Sequence, residues 1–376
     1  MPFAAALSQH PVPAEAVGEV LGDVLERVGA TPDLAVVFVT GPMVGALEDI
    51  AAAIRTVLRP GTLIGAAASS VVGGAREIEE ESAVTLWAGH VGPVRPVHLE
   101  AVPTPDGWRI DGLDASAVAG TLLLLTDPFS FPADGLLDQL AVDAPALTVI
   151  GGLASAGRGP GGNRMVVDGD VHTEGAVGAL LPPGSAVTPL VSQGCRPVGK
   201  PMVVTRAERN VIYELAGQPA LERLTDLIEQ VSASDRALLS QGLHLGLVID
   251  EHRVEFDRGD FLVRNVVGAD RSIGAIAVGD VIDVGAIVQF HVRDAETADE
   301  DLRALLSEAG HADAALVFTC SGRGTHLFDQ PDHDARLIAG LAGSATAGMF
   351  CSGEIGPVGQ RSFLHGFTAS VALFRN

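Results

Sequence analysis

The sequence predicts an α/β protein, in which mixed sheets with packed helices form two related halves built from repeated β-α-β-β units. Apolar runs of strand length alternate with segments whose apolar residues recur at helical spacing. Gly- and Ser-rich segments follow several of these predicted strands. The 376 residues, 47% of them hydrophobic, are enough for two domains that each have a core.

Charge and cysteine content exclude several classes of protein. The net charge of −23 argues against nucleic-acid and anionic-membrane partners, because both attract basic surfaces. Cys195, Cys320 and Cys351 are far apart and odd in number, which predicts no disulfide framework and a reducing compartment. No basic segment opens the chain, and no apolar run reaches the length of a membrane span. We therefore expect a cytoplasmic protein. No motif in the sequence predicts a cofactor or a bound metal.

The N-terminal half predicts two rounds of strand, helix and strand. Before them, residues 14–28 carry apolar side chains at helical spacing with charges between, which is typical of an amphipathic helix. The first round has strands at 34–39 and 62–68 with a helix at 47–58, and the second has strands at 121–125 and 147–150 with a helix at 135–140. Further strands are predicted at 82–87, 94–102, 108–110 and 175–181.

A segment marked by Pro and Gly, residues 182–193, separates two predicted domains. These domains span residues 30–185 and 190–374. The middle of the chain predicts strands at 202–205, 211–215, 243–249, 261–267, 273–278 and 287–292 and helices at 218–228 and 299–308.

The last part of the chain predicts a third round. A strand at 314–318 is followed by a Gly-rich loop and by a helix that runs from Pro331 to about residue 341. Proline suits the first helical turn because it has no N–H, and Asp332 and Asp334 suit the positive end of the helix dipole. Because a crossover makes neighbouring strands parallel, this loop and the loop after residue 350 are expected at one sheet edge, where α/β proteins bind ligands.

Three segments resemble one another and indicate an internal repeat. They are IGAAASS at 64–70, IGGLASA at 150–156 and AGMFCSG at 347–353. Each follows a strand-helix pair and precedes a return strand, so we interpret them as two N-terminal copies and one C-terminal copy of a β-α-β-β unit. The alternative is that small residues occur wherever strands of an α/β protein end.

Several motifs resemble those of the FIST family. The C-terminal ones are GCRP at 194–197, NVIYEL at 210–215, PAL at 219–221, FLVRN at 261–265, CSGRG at 320–324 and GEIGPVG at 353–359. Asp127-Pro128-Phe129 and the Gly/Ser strand ends at 65–70 and 151–155 are similar to the N-terminal half of the family. The resemblance extends from about residue 30 to the end of the chain.

The resemblance implies a sensory module of signal transduction that binds a small ligand. In the family this module is often fused to chemoreceptor, kinase or cyclic-nucleotide output domains, and it also occurs in an F-box ubiquitin-ligase subunit. Amino acids have been proposed as its ligands. No motif of an output domain is present in this sequence, so signalling is expected to need a separate, unidentified partner protein.

Arg323 and Glu354 are the first candidates for binding the ligand. The guanidinium of Arg323 can hold a carboxylate through two hydrogen bonds while the Gly-rich loop supplies N–H groups. Glu354, on the second loop of the same round, complements an amine, so the two together suit an amino acid. The structural alternatives are that Arg323 caps a strand end or pairs with Glu354, and that Glu354 pairs with Arg361.

Two other functions remain open from the sequence. Cys320 or Cys351, with His326 or His365, suggests a cysteine-dependent enzyme acting on a small acyl or amino-acid-derived substrate. Cysteines after apolar strands are more often small buried residues, so no catalytic residue is assigned. A protein–protein adaptor with an acidic surface is the other alternative. The predicted ligand-binding set is Arg323, Glu354, Cys320, Ser321, His326, Cys351, Ser352, Arg264, Asn265, His365, Ser69 and Ser155.

Overall fold

The computed structural model describes residues 1–105, 107–114, 118–250, 253 and 255–376. The chain divides into two compact units. The first combines Met1–Ser192 with Leu302–Leu364 and Thr368–Asn376, and the second comprises Gln193–Asp301 and His365–Phe367. The first unit therefore contains both ends of the chain.

The helices and strands are numbered in chain order. The helices are α1 (Pro13–Val28), α2 (Leu47–Val57), α3 (Ala133–Asp143), α4 (Ala220–Gln230), α5 (Ala233–Gln241), α6 (Ala295–Ala309) and α7 (His333–Ala342). The strands of the N-terminal half are β1 (Phe3–Ser8), β2 (Leu34–Thr40), β3 (Thr62–Ala68), β4 (Ser70–Gly73), β5 (Arg76–Glu79), β6 (Val84–Gly89), β7 (Arg95–Thr104), β8 (Gly107–Asp111), β9 (Gly120–Thr126), β10 (Leu147–Leu153), β11 (Met165–Val167), β12 (Asp170–His172), β13 (Ala176–Leu181) and β14 (Val187–Gln193). The remaining strands are β15 (Cys195–Glu208), β16 (Val211–Leu215), β17 (Gln218–Pro219), β18 (His244–Val248), β19 (Phe261–Asp270), β20 (Ala275–Val278), β21 (Ile287–Arg293), β22 (Ala314–Cys320), β23 (Thr346–Cys351), β24 (Glu354–Val358), β25 (Arg361–His365) and β26 (Thr368–Phe374).

Three mixed sheets with matching strand orders form the first unit. Their orders are β1-β6-β2-β3-β11-β12, β14-β26-β22-β23-β4-β5 and β8-β7-β13-β9-β10-β24-β25. At the centre of each sheet lies one parallel pair, β2–β3, β22–β23 or β9–β10, whose connection contains a helix. These central strands are continuous apolar runs because both of their faces are covered.

The hairpin after each parallel pair joins a different sheet. Strand β4 pairs with β23, β11 pairs with β3, and β24 pairs with β10, all in antiparallel register. The three segments that resemble one another in sequence lie where these crossings occur. This exchange of hairpins between sheets brings the ends of β3, β10 and β23 together, although these strands are far apart along the chain.

The three sheets of the first unit share one apolar core. Phe38, Phe318 and Ile150, from the three different sheets, are all buried in it. The rings of Phe38 and Phe318 meet edge to face with their centroids 6.2 Å apart. The indole N–H of Trp87 donates to the carbonyl of Ala345 at 3.2 Å, so this large buried side chain also has its polar atom satisfied.

The second unit contains a closed antiparallel barrel. Its strand order is β15-β21-β18-β19-β20-β16-β17, and β15 also pairs with β16. The long β15 closes the barrel because its first part pairs with β21 and its last part with β16. Val204, Leu245 and Phe290 are among the buried residues that fill the interior.

The predicted fold class, an α/β protein with mixed sheets and packed helices, is confirmed by these elements. The arrangement as two related halves is not confirmed. Several short elements of the first unit were missed by the sequence analysis, among them β1 and the hairpins β4–β5 and β11–β12, because they gain their hydrogen bonds from distant strands.

Candidate functional site

Four serine hydroxyls from four strand ends line one pocket in the first unit. Ser69 follows β3, Ser155 follows β10, Ser321 follows β22 and Ser352 follows β23. The pocket has a volume of about 300 Å³. Its remaining lining residues are Ser70, Glu79, Glu80, His326 and Phe350. The structure thus brings together Ser69, Ser155, Ser321, Ser352 and His326 of the predicted set.

The hydroxyls form a connected hydrogen-bond network. The backbone N–H of Ser69 donates to Ser155 Oγ at 2.9 Å, and Ser155 Oγ donates to the carbonyl of Phe350 at 2.5 Å. Ser321 Oγ donates to the carbonyl of Cys351 at 2.9 Å. Ser69 Oγ lies 3.3 Å from both Ser155 Oγ and Ser321 Oγ. These bonds fix the positions of three hydroxyl oxygens relative to one another.

Carboxylates form the other wall of the pocket. Glu79 accepts hydrogen bonds from the N–H and the hydroxyl of Thr325 at 2.9 and 2.6 Å, and His326 Nδ1 lies 3.9 Å from its Oε2. Glu80 is exposed and has a positive φ of 59°, a conformation that non-glycine residues rarely adopt. Gly324 lets the loop approach this wall, since a Cβ at that position would lie 2.7 Å from Glu79 Oε1.

Arg323 does not line this pocket, although it was the first candidate. Its residue exposure is 0%, and its Nε and Nη2 donate to the two oxygens of Asp334 at 2.7 and 2.9 Å. Burial opposes ionisation of both groups, but their mutual attraction raises the pKa of Arg323 and holds the pKa of Asp334 well below its usual range. The hydrogen bonds of Arg323 thus go to Asp334 and not to Glu354, the partner that one structural alternative had named.

Glu354 is also buried, and its surroundings favour the protonated form. Its Oε2 accepts hydrogen bonds from the N–H and the hydroxyl of Thr368 at 3.0 and 2.9 Å. Burial nevertheless raises the pKa of Glu354 to about 8. Burial, reinforced by the charge of Asp334, likewise raises the pKa of Glu77 to about 8. Burial therefore disfavours the charged form of both side chains.

The two cysteines of the first unit lie side by side on neighbouring strands. Cys320 and Cys351 are register partners in the parallel pair β22–β23. Burial raises the pKa of the Cys351 thiol well above its usual value, and the charges of Glu354 and Cys320 add to this effect. An activated thiolate needs the opposite shift, so Cys351 in this setting behaves as a small core residue.

Three residues of the predicted set belong to the second unit. Arg264 donates to Asp280 Oδ2 at 2.7 Å and is largely buried, whereas Asn265 is exposed and is the register partner of His244 in the pair β18–β19. His365 is buried. Arg264 therefore has a structural ion-pair partner inside its own unit.

Family models match nearly the whole chain. The FIST N domain matches residues 33–218, and the FIST C domain matches residues 220–357. The chain belongs to the FIST family. The domain limits drawn from the sequence, 30–185 and 190–374, stay predictions.

Relatives of this FIST protein occur in mycobacteria. An uncharacterized protein of Mycobacterium tuberculosis strain H37Rv is 44% identical over 356 residues, which cover 93% of each chain. An uncharacterized protein of Mycobacterium bovis is 43% identical and covers 93% of this chain and 92% of its own. Both relatives are described only as uncharacterized proteins, so they assign no function to this chain.

Glu79, Glu80 and Ser70 are pocket residues of the FIST protein that the sequence analysis missed. The sequence analysis assigned no binding role to the acidic segment 77–81. The sequence feature that could have revealed these residues is the Gly73-Gly74 pair, which marks a turn between two short strands. A hairpin with its turn at this pair places Ser70 directly opposite Glu79. The acidic segment therefore lies beside the serine-rich end of β3.

Neither a membrane span nor a metal centre is found in the described residues of the FIST protein. No described helix is both long enough and apolar enough to cross a bilayer. No group of three or more His, Cys, Asp or Glu side chains in the same part of the chain has an arrangement that could hold a metal ion.

Proposed function

We propose that this protein is a sensory protein of signal transduction that binds a small metabolite in the serine-lined pocket. The observation that carries the proposal is the convergence of four strand ends, after β3, β10, β22 and β23, on one polar cavity. Crevices at the carboxyl ends of strands are the usual ligand sites of α/β folds. The hydroxyls there are held by hydrogen bonds within the protein, so the site is preorganised.

Membership of the FIST family supports the sensory role. The pocket volume, about 300 Å³, suits a molecule of the size of an amino acid. We propose that ligand occupancy is transmitted to a separate signalling protein. The hairpins that cross between sheets offer a route for this signal. The pocket-lining residues belong to strands of different sheets, so a ligand that contacts all of them stabilises the pairing between those sheets.

A thermal-shift screen with a metabolite library tests the proposal. Binding to the folded state raises the melting temperature by an amount that grows with ligand concentration. Ser352 is an exposed lining residue, so Ser352→Trp should fill the mouth of the pocket and abolish the shift without disturbing the core.

Ser240→Trp provides the matched control. Ser240 is equally exposed on α5 of the second unit, and the shift should persist in this variant. A ligand whose shift survives Ser352→Trp undiminished would show that it binds elsewhere and would refute the proposed site.

A further inference from the structure

We infer that the ligand of the serine-lined pocket carries an ammonium group and no carboxylate, as in a small primary amine or amino alcohol. The inference rests on the proposed function and specifies its ligand class. It follows from the direction of the hydrogen bonds in the pocket and from the charges on its wall.

The hydroxyl protons of two of the pocket serines are already used within the protein. A serine hydroxyl has one proton to donate and two lone pairs to accept with. Ser155 and Ser321 must donate to the carbonyls of Phe350 and Cys351, because a carbonyl cannot donate. Ser69 Oγ lies 3.3 Å from Ser321 Oγ, to which it can donate, and 3.3 Å from Ser155 Oγ. Ser155 and Ser321 therefore present only acceptors to a ligand, and Ser69 adds a third acceptor oxygen beside them.

The charges on the wall also favour a cation. Glu79 and Glu80 both line the pocket, and Glu80 makes no ion pair with any residue that the structure describes. An ammonium group supplies three N–H donors and a positive charge, which matches hydroxyl acceptors beside carboxylates. The exposed Ser352 hydroxyl can still donate or accept, so it suits a hydroxyl of the ligand.

A ligand carboxylate finds no comparable partner. The guanidinium of Arg323 is buried, bound to Asp334 and absent from the pocket lining. His326 is the basic lining side chain among the described residues, and it lies 3.9 Å from Glu79. A carboxylate in the pocket would face acceptor oxygens and two glutamates. We therefore expect a free amino acid to bind more weakly than the corresponding amino alcohol.

Four probes with the same three-carbon frame test the ligand class. Serinol carries an ammonium group and two hydroxyls, serine adds a carboxylate in place of one hydroxyl, glycerate lacks the amine, and glycerol is neutral. Each is titrated into the full-length protein and followed by calorimetry and by melting temperature. Serinol should bind with at least about ten-fold higher affinity than serine, and glycerate should not bind.

A charge-removing variant and its control complete the experiment. Glu80→Gln keeps the shape of the wall and should weaken serinol binding by about ten-fold or more, because a charge-assisted contact is lost. Glu26→Gln, an equally conservative change on the exposed face of α1, should leave binding unchanged.

The possible outcomes separate the inference from the proposed function. Binding of serine or glycerate that equals or exceeds that of serinol, or binding of serinol that is insensitive to Glu80→Gln, overturns the ammonium inference and leaves a small-ligand pocket in place. If neither these probes nor any member of the metabolite library shifts the melting temperature, the proposed function itself is overturned.

Discussion

The buried ion pair of Arg323 and Asp334 shows how a residue suited to binding can instead hold the fold. Asp334 lies in the first turn of α7, and Arg323 lies in the loop after β22. The carboxylate also accepts from the hydroxyl of Thr319 and from His333 Nδ1, both at 3.0 Å. Its acceptor sites are therefore filled, and the pair ties the loop to the helix.

Removing one partner should destabilise the first unit strongly. Arg323→Ala leaves the Asp334 charge buried without its cation, which typically costs about 3–5 kcal/mol in the free energy of unfolding. Arg361→Ala, which breaks the exposed pair with Asp138, should cost at most about 1 kcal/mol. Urea denaturation of both variants measures the difference. Equal losses would contradict the structural role of Arg323.

The crossing of hairpins between sheets depends on small residues at the strand ends. Where β10 meets β24, the N–H of Ser352 donates to the carbonyl of Leu153, and the N–H of Leu153 donates to the carbonyl of Gly353. A Cβ at Gly152 would lie only 2.3 Å from Cys351 Sγ. The glycine in this segment is therefore required by close packing between two different sheets.

Gly152→Ala should destabilise the protein by about 1–3 kcal/mol, because the added methyl group overpacks the crossing. In a Cys351→Ala background the same change should cost less, since the sulfur atom that it meets is gone. A double-mutant cycle in urea measures this coupling.

Gly159→Ala is the matched control for this cycle, because nothing lies within 4 Å of its added Cβ. Its effect should stay within about 0.5 kcal/mol. Strictly additive losses for Gly152→Ala and Cys351→Ala would contradict the predicted contact.

The two compact units bury titratable groups of opposite kind. In the second unit, burial lowers the pKa values of His244 and His291 to about 4. In the first unit, burial raises the pKa values of Glu77 and Glu354 to about 8. Stability rises with pH wherever the unfolded chain binds more protons, and it falls where the folded chain binds more.

The second unit should lose stability as the pH falls below about 6.5, because only the unfolded chain then protonates the two histidines. At pH 5 the loss is about 2 kcal/mol for each histidine. The first unit should behave in the opposite way. It is stabilised by Glu77 and Glu354 at pH values below about 4.5, and this contribution is lost as the pH rises through about 8.

Hydrogen exchange followed by mass spectrometry at several pH values resolves the two units. After correction for the intrinsic exchange rate, protection of the barrel should increase from pH 5 to 7. Protection of the three sheets should decrease toward pH 8.5. Glu354→Gln removes one titrating group, so it should flatten the response of the first unit only. A parallel response of both units would contradict this assignment.

The sequence by itself determined the alternation of apolar strands and amphipathic helices, the family, and the recurrence of serine-rich segments after strands. These features are local, since they depend on the period of apolar residues and on short motifs. The bounds of β3, Thr62–Ala68, agree with the prediction for that reason.

Only the tertiary structure decided which polar groups face the pocket. Arg323 and Ser321 stand two positions apart in one loop, yet the first is buried against Asp334 and the second lines the pocket. Glu80 directly follows the hairpin β4–β5 and lines the pocket. That hairpin pairs with β23, which lies more than 250 positions further along the chain. Such placements depend on long-range strand pairing and on the cost of burying charge, and neither is encoded in the spacing of neighbouring residues.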